Sequence, residues 1–224
     1  MSFIVAIDGP AGVGKGTIAK KISEDLHFIT IDTGATYRCV TAAILDNKVQ
    51  LNEIDKIVSL MKRINIEMEL EGNEKKIFLN GVDITKRIRE NEINDLVSPV
   101  SVIKEVREEM VNLQRKLAEG KNVVMEGRDI GTVVFPNADV KIFLDATIEE
   151  RANRRYKQNQ DTGIDINQTY EEVYKNIEER DYIDRNKPIG ALKLAEDAIL
   201  IDTTGRTVDS IVEQIEKLIK EKLW

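Results

Sequence analysis

One cysteine, one histidine, one tryptophan and four prolines are spread over 224 residues, and each scarcity closes off some chemistry. Cys39 has no second cysteine with which to pair, so an internal disulfide is excluded. It lies in an apolar helical stretch and reads as a core residue. His27 has no second histidine for a metal site, and its place between a helical stretch and an apolar run suits a surface helix end. Neither a run of about 18 apolar residues nor a basic-then-apolar leader occurs, so no membrane span and no export signal is expected. A basic excess is missing too: 33 Lys and Arg stand against 40 Asp and Glu, a net charge of −7. That balance argues against a general nucleic-acid surface and confines any bound polyanion to a small local site. The expectation is a cytoplasmic, reduced protein with small-molecule substrates and no nucleic-acid or membrane partner.

What is present is 42% hydrophobic residues, enough to bury one substantial core. Short apolar runs at Ile4 to Ile7, Phe28 to Ile31, Val123 to Met125, Val140 to Leu144 and Ile199 to Ile201 read as strands buried on both faces of a parallel sheet. Helical stretches alternate with them at about 15 to 26, 35 to 46, 100 to 119, 147 to 158, 169 to 184 and 207 to 221. The class is α/β. Residues 64 to 80 instead alternate apolar and polar, with turn signals at Glu71-Gly72-Asn73 and Asn80-Gly81, which predicts an antiparallel meander inserted over about 60 to 98. The core is then 1–59 with 99–224. The polar stretch 157 to 168 lacks an apolar stripe and reads as a mobile loop.

The loop that follows the first apolar run, Gly9-Pro10-Ala11-Gly12-Val13-Gly14-Lys15-Gly16-Thr17, carries the spacing of a phosphate-binding loop between strand and helix. Glycines let backbone N–H groups turn toward an anion, the helix N-terminus adds partial positive charge, and Lys15 reaches the terminal phosphates. The usual motif places Ser or Thr directly after the lysine to hold Mg²⁺. Here Gly16 intervenes, and Thr17 becomes the metal candidate, by an indirect contact. Two further clusters sit at strand ends, where α/β sheets bind ligands. One is "IDTGATYR" with Thr33 and Arg38; the other is "MEGRDIGTVVFP" with Glu126, Arg128 and Asp129.

The blocks "DGPAGVGKGT", "DTGATYR", "EGRDIGTVVFP", "KIFLDA", "EERANRR" and "ERDYIDRN" resemble, in order and over the whole length, those of the bacterial-type cytidylate kinases, within the adenylate-kinase-like nucleoside monophosphate kinases. The resemblance implies a P-loop three-layer fold with a five-stranded parallel sheet, the 60–98 segment as monophosphate-binding insert and a helical lid at about 155–187. It implies ATP and Mg²⁺ as cofactors, CMP and dCMP as acceptors, and a monomer. Carried over by position, residues 9 to 17 and Arg154 take ATP. Thr33, Arg38, Ser98, Arg107, Arg128, Asp129, Arg180 and Asp184 take the substrate, and Lys15, Arg128, Arg180 and Lys187 are catalytic.

Spacing alone puts Arg180, Asp184 and Lys187 on one helical face, with Pro188 ending the helix near Lys187. Ordinary ion pairs, Arg180 with Asp184 and Asp181 with Arg185, are the plain alternative. Relatives carry arginine where Lys187 stands, so the bidentate fork is lost there; their downstream proline falls on Ala191. Arg154 and Arg155 either reach ATP or pair with Glu149 and Glu150. Asp145 either resembles a Walker-B acid or belongs to the turn before a helix capped by Thr147. Two functional rivals stay open: another nucleoside monophosphate or small-metabolite kinase, and a nucleotide-binding module without acceptor chemistry.

Overall fold

A computed structural model describes residues 2–71, 74–163 and 165–223. In chain order its elements are β1 (Ile4–Asp8), α1 (Lys15–Leu26), β2 (Ile29–Asp32), α2 (Thr33–Asp46), α3 (Ile54–Met61), β3 (Ile66–Glu71), β4 (Glu74–Leu79) and β5 (Val82–Asp83). Then come α4 (Asn91–Val102), α5 (Lys104–Ala118), β6 (Val123–Gly127), β7 (Val140–Asp145), α6 (Ile148–Thr162), α7 (Tyr170–Asn186), β8 (Ile199–Asp202) and α8 (Val208–Leu223). The chain divides into two compact units, Met1–Asp32 with Gln114–Trp224, and Thr33–Leu113.

The first unit holds a parallel five-stranded sheet in the order β2-β6-β1-β7-β8, at the five apolar runs. β1 is central and buried along its whole length, paired on one side at Ile4↔Val123 and on the other at Val5↔Val140. Burial on both faces fails at the rims: Ile29 of β2 is 37% exposed and Leu200 of β8 is 57% exposed. Edge strands have a neighbour on one side only, so apolar sequence does not guarantee cover there. Ile18 and Ile22 of α1 and Ile211, Val212, Ile215 and Ile219 of α8 form a core with Val5, Ile7, Val124 and Ile142 of the sheet. The helical spacing of the α8 residues presents them on one stripe.

The lid region departs from its expectation. α6 does not stop at 158 but runs through Lys157–Thr162 to a left-handed Gly163, which supplies the stop. The inward position of that last stretch is Asn159, 2% exposed, so the buried face gives no apolar signal. α6 packs against α7 around Ala152, Val173 and Ile177, with Tyr156, Tyr170 and Tyr174 partly buried beside them. A Thr169–Glu172 capping box starts α7.

In the second unit β3, β4 and β5 form an antiparallel sheet, with Ile66 opposite Leu79 and Met68 opposite Ile77. The alternating apolar residues Ile66, Ile77 and Leu79 pack with Val40, Ala43 and Ile44 of α2 and Ile57 and Leu60 of α3. Asn80 and Gly81 both adopt positive φ (53° and 77°), the backbone of a tight hairpin turn. Gly72 and Asn73 of the other expected turn lie outside the described residues. The meander is shorter than its sequence suggests: the strands end at Asp83, and a 3₁₀ turn (Arg87–Arg89) and α4 follow. α4 contains Pro99, a helix-breaking signal, and the expected helix from 100 to 119 is split at Ile103, whose ψ of 120° is extended. Thr33, read as a hydroxyl at a strand end before a helix from about 35, is the first residue of α2. No helix among the described residues is long and apolar enough to cross a membrane.

Ile215 is fully buried in the first unit's core. Ile215→Ala is expected to cost about 2–5 kcal/mol, read as a lowered urea midpoint.

Candidate active site

The phosphate loop is shaped by what holds its carbonyls. Lys15, buried at the start of α1, donates to the carbonyls of Gly9 (2.9 Å) and Pro10 (2.7 Å). Arg151 Nη1 donates to the Ala11 carbonyl at 3.1 Å, and Arg154 Nη1 and Thr203 Oγ1 reach that of Val13 at 3.5 and 3.4 Å. In a trans peptide the next N–H points opposite to the carbonyl. The N–H groups of Ala11, Gly12 and Gly14 are therefore turned away from these donors, as an anion cradle requires. Two glycines are needed for space as well as for backbone. At Gly9 (φ 152°) a Cβ would lie 2.2 Å from the Leu144 carbonyl oxygen, and at Gly12 (φ 77°) one would lie 3.1 Å from Arg151 Cβ.

Around Lys15 the first unit gathers charge from β6, the turn after it and α7. Burial, with Arg128 and Arg180 acting in the same direction and Glu126 and Asp184 against them, pulls the Lys15 ammonium down to about 7. Arg128 Nε donates to Asp184 Oδ2 at 2.7 Å, and Lys187 Nζ stands 3.6 Å from Asp184 Oδ1. Burial alone would raise the Asp184 carboxyl, yet Arg128, Lys187 and Arg180 hold it down at about 2. Burial likewise opposes the charge on Arg128, and Asp184, with Glu126 and Asp181, outweighs it, so that guanidinium stays protonated. A set of cations that crowd one another in a low-dielectric setting gains most from a bound polyanion.

The turn after β6 is a single π-helical turn, Ile130–Val134, preceded by Asp129. Asp8, the last residue of β1, accepts from the backbone N–H groups of Ile130 and Gly131 at 2.8 Å each. Its carboxyl is pushed up to about 6 by burial, against those two bonds, with Asp129 adding repulsion. At Gly16 a Cβ would sit 2.9 Å from Glu126 Oε1, so the Glu126 carboxylate stands close to the position at which the usual motif carries its hydroxyl-bearing side chain.

The structure thus brings Lys15, Arg128, Asp129, Arg180, Asp184 and Lys187 into the unit that contains the phosphate loop, and Lys187 caps the C-terminal end of α7 in extended conformation. Beyond the plain ion-pair alternative, Asp184 binds Arg128 and stands near Lys187, with the charge of Arg180 also acting on it, and Asp181 binds Arg151. Arg154 pairs with Glu150 at 2.9 Å, one of the two readings offered for it, and also contacts the Val13 carbonyl and Thr203 beside the loop. Arg155 Nη1 is 3.4 Å from Gln158 Oε1. Asp145 Oδ1 accepts from the Ala146 N–H, and Thr147 Oγ1 caps α6 through Glu150 N–H. Thr17 is exposed on the first turn of α1. His27 is exposed at the C-cap of α1 and Cys39 is fully buried.

Thr33, Arg38, Ser98 and Arg107 belong to the second unit. Within it Thr33, Ser98 and Arg107 are buried; Arg107 stacks 5.8 Å over the Tyr37 ring and donates to the Ser101 carbonyl at 3.2 Å. The roles of three residues in the geometry escaped the sequence reading: Asp8, Arg151 and Asp181, the last read there as a partner of Arg185. Asp8 alone had a visible signal, an acid ending a central apolar run directly before the first loop glycine.

Among the described residues no cluster of three or more His, Cys, Asp or Glu could hold a metal ion. The donors that fit a divalent cation carried in by a polyphosphate are the Glu126 carboxylate beside Gly16 and the Thr17 hydroxyl.

Two outcomes follow from this geometry. Gly9→Ala should abolish ATP-analogue binding, measured by fluorescence titration, because the loop cannot keep its place against the Leu144 carbonyl. Asp184 has a depressed folded pKa, so it contributes about 2 kcal/mol of stability above pH ~4 that is lost as pH falls toward 2. Asp184→Asn should lower Tm at pH 7 and flatten the dependence of Tm on pH between 4 and 2.

Comparison with known proteins places this geometry. The cytidylate kinase family profile matches residues 5–221. A cytidylate kinase of Fusobacterium nucleatum subsp. nucleatum is 49% identical over 220 residues, covering 98% of both chains. That of Bacillus subtilis is 45% identical over 218 residues, covering 97% of this chain and 96% of its own. Among solved structures an uncharacterized protein from Eubacterium ventriosum superposes with a TM-score of 0.56 at 15% identity over 99% of each chain, a likeness of fold alone. With a profile spanning nearly its whole length and near-half identity to curated relatives, the chain belongs to the cytidylate kinase family.

Proposed function

We propose that this protein transfers the γ-phosphoryl group of ATP to CMP and dCMP, giving ADP and the nucleoside diphosphate, by direct in-line attack. The observation that carries the reading is the ring of cations about the phosphate loop: a buried Lys15 under like-charge pressure from Arg128 and Arg180, with Lys187 close by on Asp184. Transfer between two polyanions needs such a ring to offset charge and align the attacking and leaving oxygens. An acceptor phosphate is already anionic, so no general base is needed. A phosphate oxygen of the monophosphate forms the new P–O bond as the bond from the γ-phosphorus to the bridging oxygen breaks, and ADP leaves with the electron pair.

Residues 9 to 17 and Arg154 bind the donor. Glu126 and Thr17 are the groups placed to hold Mg²⁺, directly or through water; bound, the ion neutralises charge on the phosphate oxygens. Thr33, Arg38, Ser98 and Arg107, with the 60–98 insert, bind the monophosphate, and Arg128, Arg180 and Lys187 stabilise the moving phosphoryl. Movement of the α6–α7 lid excludes water that would hydrolyse ATP. Asp129, buried on its turn, accepts a hydrogen bond from the exocyclic amino group of cytosine, a donor that uracil lacks. Leaving such a buried acceptor unpaired costs about 1–3 kcal/mol, so UMP is the poorer substrate.

A coupled ADP-release assay over AMP, GMP, UMP, CMP, dCMP and shikimate tests the reading: turnover highest on CMP and dCMP supports it, and another preferred acceptor replaces it. ATP binding without turnover on any acceptor would leave a binding module. Lys15→Ala should depress turnover by orders of magnitude with CMP still bound, whereas wild-type turnover in that variant removes the role assigned to Lys15. Asp129→Asn should move the CMP/UMP preference toward UMP; an unchanged ratio means that the base is read elsewhere.

A further inference from the structure

Arg151 has none of the donor-binding or catalytic roles proposed above, yet its contacts are unusual for the first turn of a surface hairpin. It is 2% exposed. Its Nε donates to the Ala146 carbonyl at 3.1 Å and its Nη1 to the Ala11 carbonyl of the phosphate loop at 3.1 Å. The same Nη1 lies 2.7 Å from Oδ2 of Asp181 on α7, itself buried. Asp181 sits in the turn of α7 between Arg180 and Asp184, and its charge is also felt by Arg128. α6 approaches the loop closely, since a Cβ at Gly12 would lie 3.1 Å from both Arg151 Cβ and the Arg151 carbonyl oxygen.

We infer that Arg151 is a positioning residue that locks the phosphate loop to helix α7, so that Arg180, Asp184 and Lys187 hold a fixed distance from Lys15. The lock rests on chemistry that other residues cannot supply. Only a guanidinium offers donors directed to two carbonyls and a carboxylate at once; lysine gives one point charge that serves fewer of them. A buried ion pair adds little net stability but is costly to break on one side, which suits a strut that specifies geometry. Displacing reacting groups by about 1 Å costs on the order of 100-fold in rate, so loosening this strut acts on turnover. α6 and α7 also share an apolar core around Ala152, Val173 and Ile177, which keeps the hairpin together without the pair. The Arg151–Ala11 bond, beside that of Arg154 to Val13, ties the hairpin to the loop, and the ion pair fixes α7 to the same guanidinium.

This inference rests on the kinase reading, and the experiment separates the two. CMP turnover by the wild-type chain tests the reading itself. The inference is read from Arg151→Lys, Asp181→Asn and the double variant Arg151→Met/Asp181→Asn, which removes both charges and so avoids an unpaired buried ion, with Lys175→Ala on the exposed face of α7 as control. Expected are a fall of about 10- to 100-fold in kcat for the double variant at a temperature where it is folded, with KM for CMP changed less than threefold. Arg151→Lys should recover part of that loss. A second readout needs no acceptor: ATP should slow hydrogen exchange over residues 177–187 in the wild type and in Lys175→Ala, and fail to do so in the double variant. Wild-type kcat together with retained ATP-dependent protection in the folded double variant would overturn the inference, as would equal losses in kcat and in CMP affinity. Loss of the ATP effect alone, in a chain that proves inactive on CMP, would sustain the strut while the kinase reading falls.

Discussion

A buried ammonium surrounded by other cations is the constraint around which the first unit is arranged. Burial and the nearby guanidinium groups pull Lys15 down to about 7, Glu126 and Asp184 oppose that fall, and the Gly9 and Pro10 carbonyls accept hydrogen bonds from its amino group. Every neighbouring feature can be seen as a response to that concentration of charge. Asp184 is held ionised between Arg128 and Lys187, Arg151 and Arg154 take up the outward carbonyls of the loop, and Asp8 fixes the turn that carries Arg128 and Asp129. The central strand β1 makes this possible, since an anion cradle needs a rigid base and β1 is buried from end to end.

The same arrangement explains why the loop is rich in glycine without being soft. Its conformation is set from outside, by the Leu144 carbonyl beneath Gly9 and the first turn of α6 against Gly12. A loop whose carbonyls are occupied and whose side chains are absent presents its amides with little reorganisation on binding, which is the economical way to stabilise developing charge.

Much of this was legible in sequence. The five apolar runs located the strands, the glycine spacing located the loop, and ordered blocks located the charged groups of the first unit. What escaped had physical causes. α3 is eight residues long and α4 carries Pro99, so neither gave a clean helical signal. The end of α6 was missed because Asn159, a polar residue, takes the buried position. Rim exposure at Leu200 is a property of strand order, which apolar content does not encode. The partners of Arg151 and Asp181 were not legible because they lie 140 and 30 residues away in the chain, at Ala11 and at one another. Long-range pairing of that kind leaves no local pattern.

The crowding of Gly16 by Glu126 couples two positions that are more than a hundred residues apart. Grafting the common serine or threonine into the loop would force the carboxylate to swing aside, and shortening Glu126 would open the space that the hydroxyl needs. The glutamate chain is flexible enough to yield, so a designer who transplants a phosphate loop from another kinase into this scaffold has, in the acid at the end of β6, a second position at which to seat the new side chain.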